Sequence, residues 1–205
     1  MSKGPFFITG TYRSGSTFLS RIINAHPCVS LSYDSVNYFR WYIKKQVDPA
    51  NFERIVFEIK NRLQKRYQIN LDYITIIEEL NKRNIVTHKD IYSCVMRYLN
   101  HEKEIWGEKT LLEWTNIPLF LSYFPLGKVV HIIRDPRAVT ASYKHMTIEP
   151  NNRYLDAAFC CLSSLQFAQR YSRILNTKSY LIVKYEDLVS NEVHETKKIC
   201  RLSRY

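Results

Sequence analysis

Short apolar runs alternate along this chain with longer segments in which apolar residues recur at helical spacing. The runs predict strands at residues 6–8, 104–109, 128–133 and 180–183, with a short extended piece at 29–31. The helical spacing predicts helices at about residues 16–25, 117–124 and 154–175, and a last helix from 186 onward. Strands that alternate with helices are typical of a parallel sheet covered by helices on both faces, so we expect an α/β fold.

Residues 35–100 interrupt this alternation with helical periodicity alone. Breaks are expected near Pro49, Asn70 and Asn84, and Thr87 with Asp90 three residues later resembles a capping box. We therefore expect one domain over residues 1–205, with a helical insert at about 35–100 that covers the ligand site. The insert carries many cations, which are most simply a solvated face: Lys44, Lys45, Lys60, Arg62, Lys65, Arg66, Lys82 and Arg83.

The turn at residues 10–17, with the sequence GTYRSGST, joins the first strand to the first helix. Such a turn directs backbone N–H groups and the positive end of a helix dipole at one spot, which suits a phosphate. Its glycine spacing is that of a Walker A loop and Thr17 takes the place of the motif's Ser/Thr, but Ser16 replaces the lysine. The cation lies inside the loop, as Arg13, so ATP and GTP are poor candidate ligands. The alternative is a plain strand–turn–helix corner.

Polar residues lie at the carboxyl ends of the predicted strands, namely the 10–17 loop, Lys109, Arg134 and Tyr185. In open parallel sheets, ligands bind beyond the carboxyl ends of the strands. We therefore expect these residues to meet at one edge of the sheet.

Composition narrows the range of partners. Of the 205 residues 45% are apolar, which is enough for a full core. Lys and Arg outnumber Asp and Glu by 30 to 19, and this net charge of +11 suits a polyanion such as a nucleotide, a nucleic acid, an anionic lipid or a sulfated sugar. No apolar run is long enough for a membrane span, and no signal peptide fits before the first strand. The five cysteines follow no zinc or redox spacing, so we expect reduced thiols and a cytoplasmic protein.

Five motifs, in order along the chain, resemble those of one known family. They are Arg13-Ser14-Gly15-Ser16-Thr17 with Ala25-His26-Pro27, then Gly107-Glu108-Lys109-Thr110, Phe124-Pro125, Ile133-Arg134-Asp135-Pro136-Arg137 with Ser142, and Lys184-Tyr185-Glu186-Asp187-Leu188. Together they are similar to the PAPS-dependent sulfotransferases, above all to the tyrosylprotein sulfotransferases and their bacterial relatives. The resemblance spans nearly the whole chain. It implies a P-loop NTPase-like parallel sheet flanked by helices, in agreement with the periodicity.

The resemblance also implies a site for 3′-phosphoadenosine 5′-phosphosulfate (PAPS), the sulfuryl donor. The loop residues Ser14, Gly15, Ser16 and Thr17 would hold the 5′-phosphate together with Arg13, which stands where many relatives carry lysine. Arg134 and Ser142 match the pair that binds the 3′-phosphate, and Tyr185 matches a residue near the nucleotide. Lys109 would act with Arg13 as a transition-state cation, and no metal is expected.

Three of these residues also have a plainer interpretation. Lys109 could be an exposed lysine at a strand end, and Tyr185 a packed strand tyrosine. Arg134 could form an ion pair with Asp135 or Glu186.

The acceptor needs a general base, and Asp34 is the first candidate. It lies 21 residues after Arg13, where the tyrosine-directed relatives have a glutamate. Asp34 could instead be the N-cap of a helix that begins at Ser35. Glu108 and His145 are the fallback bases, and Glu108 could equally pair with Lys109 or a neighbouring arginine.

Two departures from the family pattern concern nucleotide binding. Met146 stands where the tyrosine-directed relatives carry a further arginine, and the family's C-terminal segment is expected to be absent after Tyr205. We expect weaker PAPS binding from both.

The acceptor and several alternatives stay open. A small hydroxylated molecule, a sugar, a lipid or a tyrosine peptide could each receive the sulfuryl group. Tyr38, Trp41 and Tyr42 could line an acceptor pocket or pack in the core, and the oligomeric state cannot be read. The alternative functions are a P-loop kinase or NTPase, or a basic module that binds nucleic acid or sulfated glycan, although no nucleic-acid motif is present.

Overall fold

A computed structural model describes residues 4–101, 103–144 and 154–204, and five strands of this part form one parallel sheet. The strands are β1 (Phe6–Gly10), β2 (Val29–Tyr33), β3 (Ile105–Lys109), β4 (Lys128–Ile133) and β5 (Tyr180–Lys184). Their order is β2-β3-β1-β4-β5, so β1 lies in the centre and pairs with β3 and β4. The predicted α/β class with a parallel sheet is confirmed, and the piece at 29–31 is an edge strand.

Helices cover both faces of the sheet. They are α1 (Ser16–Asn24), α2 (Tyr38–Trp41), α3 (Phe52–Tyr67), α4 (Tyr73–Asn81), α5 (His88–Leu99), α6 (Ile117–Tyr123), α7 (Pro136–Lys144), α8 (Tyr154–Ile174), α9 (Tyr185–Ser190) and α10 (Glu192–Arg204), with a 3-10 turn at Trp114–Asn116. The capping box of Thr87 and Asp90 is present at the start of α5. No described helix is long and apolar enough to cross a membrane.

Central strand β1 contributes to two separate cores because its side chains alternate between the faces of the sheet. Phe7 stacks on Phe120 with ring centroids 4.8 Å apart, in a cluster that includes the apolar faces of α3, α4 and α5. Ile8 lies in the second cluster, with residues of α1, α9 and α10. The helices between β2 and β3 therefore share the main core of the sheet.

Local structure departs from expectation directly after β2. Residues 35–37 are not helical, α2 begins at Tyr38, and its N-cap is Asn37. The interpretation of Asp34 as an N-cap is therefore wrong. A backbone hydrogen bond to strand β3 fixes the start of this segment instead: the Asp34 N–H donates to the Lys109 carbonyl at 2.8 Å. Asp34 and Asn37 both have left-handed backbone angles, with φ of 49° and 50°.

The C-terminal helix also differs from the prediction, because it is divided at Asn191 into α9 and α10. Helix α9 begins at Tyr185, one residue earlier than expected. Tyr185 is therefore a helix-start residue, and its interpretation as a strand tyrosine is wrong.

Candidate functional site

The loop between β1 and α1 presents free N–H groups of the helix start. Arg13 and Gly15 adopt left-handed angles, with φ of 62° and 92°, and the Ser14 hydroxyl donates to the Thr11 carbonyl at 2.7 Å. The first N–H groups of a helix have no acceptor within that helix, and no described side chain caps α1, which begins at Ser16. The loop therefore has the geometry of an anion site at a helix N-terminus.

Tyr185 and Arg134 form the wall next to this loop. The Tyr185 ring lies so close to Gly15 that an added Cβ would be 2.2 Å from it. The guanidinium carbon of Arg134 lies 4.1 Å from the centroid of the same ring, and Nη1 donates to the Arg13 carbonyl at 2.8 Å. Arg134 Nε is buried and has no hydrogen-bond partner in the described part of the chain. A buried cationic donor of this kind suits an oxyanion ligand.

Arg13 links the loop to α7. Its Nε donates to the Ser142 hydroxyl at 2.9 Å, so Arg13, Arg134 and Ser142 lie together beside the loop. Arg134 makes no ion pair with either proposed carboxylate within residues 4–101, 103–144 and 154–204. Asp135 binds Arg137 instead, and these hydrogen bonds lower its pKa to about 2.

Glu186 is occupied as well, because it accepts the Asp135 N–H at 2.9 Å. Both carboxylates near Arg134 thus have other partners, and the ion-pair interpretation of Arg134 is wrong.

Lys109 and Asp34 form an ion pair at the carboxyl ends of β3 and β2. The Lys109 side chain is only 4% exposed, so its interpretation as an exposed strand-end lysine is wrong. The segment after Lys109 contacts the end of β1, because the Leu112 N–H donates to the Gly10 carbonyl at 3.0 Å. The ion pair is therefore adjacent to the loop between β1 and α1. Burial raises the pKa of Asp34, while the Lys109 ammonium opposes this rise. Asp34 remains 28% exposed, so an external hydroxyl can reach it.

Glu108 is fully buried and shapes the turn that carries Asp34. Its Oε1 accepts the N–H groups of Val36 at 2.8 Å and Asn37 at 2.7 Å, while Oε2 has no described partner. Burial raises its pKa to about 8. Among the described residues Glu108 has no cationic partner, so the expected pairing with Lys109 or an arginine is not found. The other fallback base, His145, lies outside the described residues, as does Met146.

A third carboxyl near the pair, Glu113, is missed by the sequence argument. It lies in the loop after β3, where its N–H donates to Thr9 Oγ1 at 3.1 Å and its carboxylate accepts from Asn116 at 2.5 Å. Burial raises its pKa to about 7. Its position four residues after Lys109, beyond a strand end, is the signal that could have identified it.

The three aromatic residues after Asp34 divide between two roles. Tyr38 and Tyr42 are buried and pack in the core, whereas Trp41 is 48% exposed. Arg40 and Arg62 both lie over the Trp41 ring. Core packing therefore holds for Tyr38 and Tyr42, and the alternative of an aromatic acceptor pocket is reduced to one exposed indole with two cations.

Taken together, one edge of the sheet combines an anion-binding loop, several fixed cations and a partly exposed carboxylate. This combination can hold a phosphorylated ligand and remove a proton from a group next to it. No group of three or more His, Cys, Asp or Glu within the described ranges is arranged to hold a metal ion.

Comparison with known proteins gives one family match and several similar solved structures. Residues 5–203 match the family model described as "Sulfotransferase family", while no curated protein matches the chain. The sulfotransferase domain of the olefin synthase from Synechococcus PCC 7002 is 20% identical with a TM-score of 0.59, and the match covers 98% of this chain and 73% of that one.

Two further solved structures are similar over the same part of the chain. The sulfotransferase domain from the curacin biosynthetic pathway is 19% identical, with a TM-score of 0.62 and coverage of 98% and 73%. The sulfotransferase STF1 from Mycobacterium tuberculosis H37Rv is 14% identical, with a TM-score of 0.58 and coverage of 98% and 67%. At these identities the likeness concerns the fold.

Proposed function

The chain belongs to the sulfotransferase family, and we propose that it transfers the sulfuryl group of PAPS to a hydroxyl or amine acceptor at the carboxyl edge of its sheet. Sulfuryl transfer and an enzymatic role follow from the family. The identity of the donor, the residues that bind it and the base are the proposal.

One observation carries the choice of donor: Arg134, whose buried Nε has no described partner, lies beside the anion-type loop. PAPS has a phosphate at each of two ribose positions. The loop residues Ser14, Gly15, Ser16 and Thr17 fit the 5′-phosphate, while Arg134 and Ser142 fit the 3′-phosphate.

Arg13 and Tyr185 complete the proposed nucleotide site. The Arg13 backbone belongs to the loop and its side chain contacts Ser142. Its guanidinium is therefore suited to lie between the two phosphates. Tyr185 packs against Gly15 and carries the Arg134 guanidinium, so it holds the wall in place.

In the proposed mechanism PAPS supplies the sulfuryl group and leaves as adenosine 3′,5′-bisphosphate. Arg13 and the loop amides stabilise negative charge at the phosphate, and Lys109 supplies a second cation. Asp34 accepts the proton of the acceptor at a carboxylate oxygen. Burial raises the pKa of Asp34, and the Lys109 charge opposes this rise and so favours the ionised carboxylate that a base requires. These cations are side chains of the protein and supply the positive charge that a metal ion would otherwise provide, and we propose that no metal takes part.

The remaining expectations stay proposals as well. We propose a single domain with a helical insert at about 35–100, and a cytoplasmic location, which is favoured by cysteines that form no disulfide in the described part of the chain. The kinase alternative is not favoured, because Ser16 stands in place of the Walker lysine. The family match does not favour a basic nucleic-acid or glycan-binding module either.

Calorimetric titration with adenosine 3′,5′-bisphosphate (PAP) and with ATP, each with and without Mg²⁺, tests the proposal. We expect PAP to bind better than ATP without metal. Arg134→Ala should weaken PAP by about 10- to 100-fold, since a charge-assisted contact contributes about 1.5–3 kcal/mol.

Arg137→Ala is the matched control, because Arg137 is exposed and binds Asp135. It should leave PAP affinity near that of the wild type. Tighter, Mg²⁺-dependent ATP binding would contradict the sulfotransferase site and favour a kinase.

A further inference from the structure

Arg40, Trp41 and Arg62 form a cluster beside the segment that carries Asp34, and the two arginines are here called the arginine pair. The guanidinium carbon of Arg40 lies 5.0 Å from the Trp41 ring centroid, and that of Arg62 lies 5.5 Å from it. Both cations are thus held against one exposed aromatic ring. Because the two side chains are already restricted, ordering them on ligand binding costs less conformational entropy.

The arginine pair lies next to Asp34. Arg62 Nε donates to the carbonyl of Ser35, the residue that follows Asp34, at 3.1 Å. Arg40 is close enough to Asp34 and Glu113 for its charge to oppose the rise that burial causes in the pKa of both carboxyls. A ligand held by the two guanidiniums would therefore have its neighbouring atoms within the reach of Asp34.

The carboxylates near the pair are bound elsewhere. Asp34 pairs with Lys109. Glu58 lies one helical turn before Arg62 on α3, but it binds Lys45 and Arg54. Within the ranges 4–101, 103–144 and 154–204, neither Arg40 nor Arg62 makes an ion pair.

The remaining two carboxyls nearby also have other partners. Glu108 is buried on backbone N–H groups, and burial raises its pKa to about 8. Glu113 accepts from Asn116, and its pKa is raised to about 7. The two guanidiniums therefore carry positive charge that no carboxylate in the described part of the chain pairs with.

We propose that Arg40 and Arg62 form an acceptor subsite for an oxyanion, so that the acceptor is a hydroxyl compound with a carboxylate or sulfate group near the reacting hydroxyl. Arginine forks match the geometry of such groups, and Arg40 is exposed while Arg62 is half-buried. The proposal rests on the proposed function, because it assigns the acceptor that Asp34 would deprotonate. It separates the candidate acceptors by charge: anionic ones are favoured over neutral sugars and uncharged phenols.

The test uses full-length protein saturated with PAP and two matched pairs of probes. They are 4-hydroxyphenylacetate against 4-hydroxyphenylacetamide, and glucuronate against glucose, titrated by calorimetry. We expect at least one acid to bind about 10- to 100-fold more tightly than its neutral partner, as expected for charge-assisted hydrogen bonds. The preference should decrease as salt is added.

Arg40→Gln and Arg62→Gln should each reduce this preference, and the double variant should abolish it while the neutral probes bind as before. Glutamine at position 62 keeps a donor for the Ser35 carbonyl, so the turn at Asp34 is preserved. Arg173→Gln on α8 removes an exposed charge far along the chain and should keep the preference. Thermal denaturation of each variant checks that it is folded.

Equal binding of acid and neutral partner in both pairs would overturn the subsite, as would a preference that survives in the double variant or disappears in Arg173→Gln. The same titrations report PAP affinity separately. If PAP does not bind, the proposed function fails, and the acid and neutral probes are then titrated on nucleotide-free protein, where the same criteria decide for or against the arginine pair.

Discussion

The ring of Tyr185 lies directly against Gly15, so the start of α9 and the loop after β1 fit together only because position 15 has no side chain. Gly15 also adopts a left-handed backbone with a φ of 92°. The same tyrosine ring carries the guanidinium of Arg134. A change at Gly15 therefore disturbs both parts of the proposed nucleotide site.

Gly15→Ala should lower PAP affinity at least about tenfold, because a left-handed residue with a Cβ costs about 1–2 kcal/mol and the methyl group displaces Tyr185. Calorimetry measures the loss. The double variant Gly15→Ala/Tyr185→Ala removes the ring and should recover affinity only in part, because the backbone strain remains. Wild-type affinity in Gly15→Ala would show that the loop does not hold the nucleotide.

Asp34→Asn should reduce the rate of sulfuryl transfer by about 10²- to 10⁴-fold, the usual contribution of a general base, with little change in PAP affinity. The amide keeps the shape of the side chain but cannot accept the proton. The measurement is the turnover number with any acceptor that the wild type uses.

Asp72→Asn is the matched control for Asp34→Asn. Asp72 caps α4 and asparagine caps equally well, so this variant should keep wild-type activity. An active Asp34→Asn enzyme would exclude Asp34 as the base and direct attention to Glu113 or Glu108.

Glu108 should make the fold less stable as the pH rises. Burial raises its pKa from 4.5 to about 8, so the folded chain holds a proton that the unfolded chain releases between these values. The contribution of Glu108 to the free energy of unfolding is therefore full below about pH 4.5 and lost as the pH rises towards 8. Glu108→Gln keeps an acceptor for the Val36 and Asn37 N–H groups but does not titrate.

Urea unfolding at pH 5, 6, 7 and 8 tests this prediction. The free energy of unfolding of the wild type should fall relative to that of Glu108→Gln across the series. Parallel curves for the two proteins would mean that Glu108 is ionised at all these values of pH.

His131 should have the opposite effect, at lower pH. It is buried between Tyr180 Oη at 2.9 Å and Ser164 Oγ at 2.8 Å, and burial lowers its pKa from 6.5 to about 3. The unfolded chain binds a proton there below about pH 6.5 and the folded chain does not, so stability is full above 6.5 and lost as the pH falls towards 3.

His131→Gln keeps one donor and one acceptor but cannot be protonated, so its free energy of unfolding should fall less between pH 6.5 and 4 than that of the wild type. Urea unfolding over this range provides the comparison. His26→Gln is the control, because His26 is exposed and the variant should follow the wild type. An identical acid response of His131→Gln and wild type would contradict the assignment.

Local pattern was sufficient for most of the secondary structure. Strand β4 reads as a continuous apolar run because it is buried on both faces, and the capping box of Thr87 and Asp90 joins residues only three positions apart. The interpretation of a helix beginning at Ser35 was wrong because the conformation of this segment depends on Glu108, which lies more than seventy positions away in the chain. Local propensity has no access to such a contact.

The sequence by itself determined the parallel α/β fold, the anion-type loop and the family motifs at the strand ends, since period, glycine spacing and strand polarity are local properties. Only the tertiary structure decided which side chains meet there. It joined Asp34 to Lys109 across 75 residues, placed Arg13 on Ser142 and gathered Arg40 and Arg62 on Trp41. Side-chain charges interact through space, so their pairing, their burial and hence their pKa values are fixed only when the sheet and its helices have packed.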